Sequence, residues 1–206
     1  MRRLALLLVL IGCEDKKEAS PANSSLPDSS SSSPVRTEPS RQKPSCGNEV
    51  LGEEGIGELR IWATVESVRQ KCNVLRDTTA MGGEGMPARK LTVALSGDTV
   101  EVEIVNDRVW RIAVDSPKLS TPDGLGVGTS IERLRQLRSP RLMTGEGQLF
   151  VASPDHCGMS FRLSNTGPNA LRGNLDQAGL SRLPASAVVS EVLIFGCHLT
   201  PPPRAQ

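Results

Sequence analysis

The chain has 206 residues with 24 basic and 23 acidic side chains, a formal net charge of +1. That balance gives no bulk attraction to nucleic acid. Two tryptophans, three phenylalanines and no tyrosine leave little surface on which a sugar or base could stack.

Arg2 and Arg3 precede an apolar run, Leu4 to Ile11, closed by Gly12 and Cys13. A membrane-spanning helix needs roughly 20 apolar residues, so this run is too short to cross. A basic start, an apolar middle and a small residue at the end are the parts of a signal peptide, here residues 1–12. Leu10-Ile11-Gly12-Cys13 resembles the lipobox of bacterial lipoproteins. The resemblance implies that Cys13 carries the lipid, becomes the mature N-terminus and holds the protein at a bilayer through its acyl chains. Glu14 stands where the family's inner-membrane retention signal prefers aspartate, which points to the outer membrane. An ordinary secretory signal with a coincidental cysteine fits the same residues.

Residues 13–45 have no aromatic side chain, a run of five serines at Ser29 to Ser33, and prolines at Pro21, Pro27, Pro34, Pro39 and Pro44. Such a segment cannot bury enough apolar surface to order itself. It reads as a tether with a reach of about 30 Å. Residues 201–206, with Pro201 to Pro203, read as an extended tail.

Between tether and tail the sequence echoes itself at a spacing of 66 residues: the segment Ile61 to Gln70 matches Val127 to Gln136. A second echo sets Met81-Gly82-Gly83-Glu84-Gly85 against Met143-Thr144-Gly145-Glu146-Gly147. Repeats at 46–120 and 121–200 follow. In the first, Val65, Val68 and Cys72 make one apolar helical stripe, with Thr64 as the cap. Leu91 to Leu95, Thr99 to Ile104 and Val109 to Val114 read as strands. A three-residue loop over Val105 to Asp107 would set Val102 opposite Trp110 and Val100 opposite Ile112. In the second, Thr129 and Glu132 form a capping box, Ile131 and Leu134 carry the helical stripe, and Pro140 stops the helix. Gln148 to Ala152, Gly158 to Leu163 and Val188 to Cys197 read as strands, with a short helix between the last two.

The fold class expected from this pattern is α+β: a tandem repeat of one helix plus three or more antiparallel strands, the helices on one face of the sheet. The turn Val127-Gly128-Thr129-Ser130 feeding an amphipathic helix and then strands resembles the tandem-repeat fold of β-lactamase inhibitor protein and the small lipoprotein of the outer-membrane β-barrel assembly machine. The resemblance implies a protein that binds proteins and catalyses nothing. Trp62 departs from the motif, standing where Gly128 stands in the other copy.

Cys46, Cys72, Cys157 and Cys197 remain once Cys13 is set aside, an even number that implies two disulfides in an exported domain. Pairing the strands so that Met159 faces Phe195 and Phe161 faces Leu193 brings Cys157 to Cys197 and leaves Cys46 for Cys72. Val192 and Ile194 are apolar too, so that strand does not choose its face alone. The same register sets His156 opposite His198, which opens an alternative reading as a periplasmic metal or small-ligand domain. No Gly-x-Ser-x-Gly, His-Glu-x-x-His or phosphate-binding loop occurs in the sequence. Trp62, as a loop-to-helix anchor, and Arg135 and Arg138, on the basic side of the second helix, are the candidate contacts for a protein partner. The expected function is a membrane-anchored, non-catalytic interaction module of the cell envelope, with no cofactor.

Overall fold

The computed structural model describes residues 46–47, 50–81, 87–95, 97–168, 170, 175 and 177–198. Cys13, the 1–12 signal, the 13–45 tether, the glycine-rich loop at 82–85 and the 201–206 tail lie outside the described residues.

Three two-residue strands, β1 (Leu51–Gly52), β2 (Gly55–Ile56) and β3 (Leu59–Arg60), form a small antiparallel sheet. Its crowded backbone requires glycine in β2: a Cβ at Gly55 would lie 2.0 Å from the Leu59 carbonyl oxygen. Helix α1 (Val65–Lys71) follows, and its cap is Thr64, whose side chain accepts from the Ser67 N–H at 3.2 Å. Val65, Val68 and Cys72 are buried, the stripe that the spacing predicts.

The chain then runs through β4 (Asn73–Met81), β5 (Pro87–Leu95), β6 (Asp98–Val105), β7 (Arg108–Val114) and helix α2 (Ile131–Arg135). It continues through β8 (Arg141–Gly145), β9 (Gln148–Ala152), β10 (Met159–Ser164), helix α3 (Gln177–Ser181) and β11 (Val188–Ile194). The strands from β4 onward form one eight-stranded sheet, ordered β4-β5-β6-β7-β11-β10-β9-β8, with every pairing antiparallel. Period-two alternation buries Leu91, Val93, Val100, Val102, Ile112, Val114, Phe161 and Ile194 on one face, where they share a core with Leu51, Ile56, Leu59 and both helical stripes. The opposite face carries Glu101, Glu103, Arg111, Arg162 and Glu191.

The expected α+β tandem repeat of helix plus strands does not form. The protein is mostly β, with one continuous large sheet and one small one. β7 and β11 pair at the centre, Val114 beside Val192 and Ile112 beside Ile194, so the whole large sheet shares one ladder and one core. The helices are reduced to seven and five residues. What the 66-residue echo marks is a local junction. Trp62 N–H donates to Val109 O at 2.8 Å, Val109 N–H to Ala63 O at 2.9 Å and Val65 N–H to Asp107 O at 3.1 Å. Gly128 N–H donates to Val189 O at 2.8 Å, Val189 N–H to Thr129 O at 2.9 Å and Ile131 N–H to Ala187 O at 3.0 Å. Each loop thereby docks on the start of a central strand before turning into its helix.

Three local expectations are corrected. The cap of α2 is Ser130, which accepts from Arg133 N–H, while the Thr129 hydroxyl accepts from Gly126 N–H at 2.9 Å. The β6–β7 turn has two residues, Asn106 and Asp107, at φ 50° and 59°. A bulge after Glu103 leaves Trp110 as the extra residue, so Val102 faces Ile112. Between β10 and β11, Met159 faces Ile194 and Phe161 faces Val192, one residue away from the expected register. The buried face of β11 is therefore that of Val192 and Ile194.

Candidate functional site

The cysteines join as Cys46–Cys72 and Cys157–Cys197, the two pairs reached above by register and elimination. The first bridge is buried, whereas Cys157 is exposed. The Glu53 carboxylate touches both sulfurs of the second, at 3.2 Å and 3.1 Å, and Glu54 accepts from Cys197 N–H at 2.8 Å. Among the described residues, Glu53, Cys157 and Cys197 are the one group with three potential metal-ligating side chains in reach of each other. The two sulfurs are bonded to one another, so neither offers a thiolate.

The expected histidine pair is not brought together across a ladder. Ser153 caps a single 3-10 turn over Pro154–His156, and that turn takes His156 out of the strand. Its Nε2 lies 3.4 Å from Asp123 Oδ2, and its ring stands edge-on to Phe161 at 5.8 Å. His198 lies beyond the end of β11, and its carbonyl accepts from Trp62 Nε1 at 3.0 Å.

Trp62 is half-buried and packs on the core. Its ring meets that of Trp110 at 5.2 Å, tilted by 64°, and its carbonyl accepts from Arg108 at 2.8 Å. Arg135 donates to the carbonyls of Leu180, Ser181 and Leu183 and so closes the end of α3. Arg138 holds Asp155 at 3.0 Å. All three expected partner contacts are therefore engaged within the chain, because each lies beside a carbonyl, ring or carboxylate that its own polar group can satisfy.

The polar face of the large sheet holds a charge network. Arg111 lies 2.6 Å from Glu103 and 2.7 Å from Glu146, and Arg162 lies 3.4 Å from Glu191. Burial works against the Arg111 charge, but Glu146 and Glu103 more than offset it and raise its pKa. Burial likewise pushes the Glu191 carboxyl up, with Arg162 and Arg111 pulling the other way. Within it, Glu103 Oε2 is ion-paired with Arg111 but buried without a hydrogen-bond partner among the described residues.

The feature that is open is the β4 edge. β4 ends the sheet order, runs for nine residues, and is exposed from Leu75 to Met81. Leu75 and Met81 are 56% and 66% exposed, the largest values among the exposed large apolar side chains described. At its start the strand has a bulge at Leu75 and charges at Arg76 and Asp77. Hydrogen bonds from Arg89, joined by Arg69, hold the Asp77 carboxyl below its ordinary range against the effect of burial. Thr78, Thr79, Ala80 and Met81 carry no charge, bulge or proline, the usual guards of an edge strand. Sequence reading missed this strand, because with both faces exposed it has no period-two pattern. The Thr78-Thr79 pair was its one signal.

No family model and no curated protein matches the chain. Among solved structures it is similar to the crystal structure of the uncharacterized protein yfeY from Escherichia coli, with a TM-score of 0.52 and 17% sequence identity. The likeness covers 71% of this chain and 99% of that one. At this identity it shows the fold alone.

Proposed function

We propose that the chain is a cell-envelope lipoprotein, anchored by acyl chains on Cys13, and that it acts as a non-catalytic protein-interaction module docking partners along β4. The lipobox-like Leu10-Ile11-Gly12-Cys13 and the Ser/Pro-rich 13–45 segment support the anchor and the tether. Each buried acyl methylene contributes about 0.8 kcal/mol to membrane attachment. The two disulfides suit an oxidising compartment outside the cytoplasm. Glu14 after the cysteine favours the outer membrane, with the domain facing the periplasm or the surface.

The observation that carries the binding role is the nine-residue open edge of β4. A sheet edge binds an extended segment through its main-chain groups, which gives affinity without any preformed pocket. A photo-crosslinking side chain at Thr79, compared with one at Val105, the exposed last residue of β6, tests the role in intact envelopes. Discrete products at Thr79 and none at Val105 are expected. Equal labelling at both positions contradicts it.

A further inference from the structure

Pro87 fixes which groups of β4 face outward. It lies opposite Met81 and has no N–H, so that pair is of the non-hydrogen-bonded kind. Alternation then makes Ala80–Ala88 and Thr78–Lys90 the hydrogen-bonded pairs. The main-chain N–H and C=O groups of Asp77 and Thr79 consequently point away from β5. Among the described residues, no other strand of the chain takes them.

Resting on the reading of β4 as a docking edge, we propose that its occupant is the β4 of a second copy, paired antiparallel about Thr78 so that two sheets join as one. With the outward groups of Asp77 and Thr79 forming the ladder, Asp77 faces Thr79 of the second copy, Arg76 faces Ala80, and Thr78 faces itself. Each Asp77–Thr79 pair exchanges two main-chain hydrogen bonds. No like charges stand opposite: the long Arg76 side chain lies over a methyl group, and the Asp77 carboxylate meets a threonine hydroxyl. Asp77 is already neutralised within its own chain by Arg69 at 2.5 Å and Arg89 at 2.8 Å, so no unpaired charge is carried into the seam. Cross-strand threonine pairs and facing polar pairs favour such a seam.

At the opposite end of the sheet β8 runs for five residues against nine in β4. α3 packs beside β8, and Arg135 closes the C-terminal end of α3. Pairing through β4 alone is isologous and stops at two copies, where an open edge at both ends would give a filament.

The test uses the full chain, purified in detergent. Facing residues of a non-hydrogen-bonded antiparallel pair have Cα atoms about 4.5 Å apart, within disulfide reach. Thr78→Cys should therefore crosslink under mild oxidation to a product of twice the chain mass. Thr79→Cys is the register control. It is offset from its own counterpart by about 7 Å along the strand and should give no such product. Thr79→Pro removes an outward N–H, spares the β5 ladder, and should abolish the Thr78→Cys product. A monomeric mass in light scattering with no Thr78→Cys product overturns the dimer, as does equal crosslinking at positions 78 and 79. If Thr78→Cys joins a different protein in envelopes, the second copy is wrong and the docking edge stands. If β4 joins nothing, both fail.

Discussion

Trp62 and Gly128 occupy the same place in two equivalent junctions: both lie in left-handed backbone, at φ 67° and 90°, and each donates its N–H to a central strand at 2.8 Å. Left-handed backbone costs a residue with a Cβ about 1–2 kcal/mol, so something at Trp62 repays that strain. The Trp110 ring contact, the indole bond to the His198 carbonyl and packing on the core do so. Trp62→Gly should relieve the strain but lose those contacts, for a net destabilisation of about 2 kcal/mol. At Gly128 an added Cβ meets nothing within 4 Å. Gly128→Ala should then cost only the backbone term, about 1 kcal/mol. Urea unfolding midpoints of the two variants check both values.

Gly158 is where the small sheet meets the large one. A Cβ there would lie 2.3 Å from the Glu53 carbonyl oxygen and 2.8 Å from Gly196. These are backbone atoms and cannot swing away. Gly158→Ala is expected to cost more than about 3 kcal/mol, or to prevent folding, as overpacking against fixed atoms does. Gly124→Ala, where φ is 83° and no atom is in reach, is the control and should cost about 1 kcal/mol.

The disulfides should differ in reactivity. Cys46 and Cys72 are buried, while Cys157 is exposed. Under limiting reductant, alkylation and peptide mapping should find Cys157 and Cys197 modified first. The Glu53 carboxylate against their sulfurs repels an incoming thiolate. Glu53→Gln should therefore speed that reduction and leave Cys46–Cys72 unchanged. Loss of either bridge should cost about 2–4 kcal/mol.

Glu191 and Asp77 should pull the pH dependence of stability in opposite directions. The Glu191 carboxyl is raised above 4.5, chiefly by burial. Its contribution is present below that value and is lost as pH rises through the folded pKa. Asp77 is lowered below 3.8, chiefly by the Arg89 hydrogen bonds. Its contribution is present above 3.8 and is lost as pH falls through the folded pKa. Glu191→Gln should gain on the unaltered protein as pH rises above 4.5. Asp77→Asn should match it in acid and fall behind above 3.8. Denaturant unfolding across pH 2 to 7 separates the two.

Where residues repeat with one face buried, the pattern was readable. Val100, Val102 and Ile104 alternate with glutamates, and Val65, Val68 and Cys72 follow helical spacing, because a single buried face imposes a period. The small sheet and β4 had no such period. In the first, glycines at 52, 55 and 57 answer to backbone crowding, which sequence does not display. In the second, both faces meet solvent. Turn chemistry was legible at Asn106-Asp107, but the bulge that sets Trp110 aside was not, and the Trp110 ring meets Trp62, a residue distant in sequence. The 66-residue echo recorded two loop-to-helix junctions rather than two folded units. Trp62, Arg135 and Arg138 looked available from sequence because their partners, His198, Leu183 and Asp155, are brought near only by the fold.

The proposed anchor at Cys13 would place the domain, its oxidised bridges and its open edge at a membrane surface, and intact mass spectrometry of the mature protein from cell envelopes tests it most directly. A species lacking residues 1–12, with acyl chains on Cys13, is the expected result. A mature chain with a bare Cys13 thiol, or one that retains residues 1–12, would contradict the account.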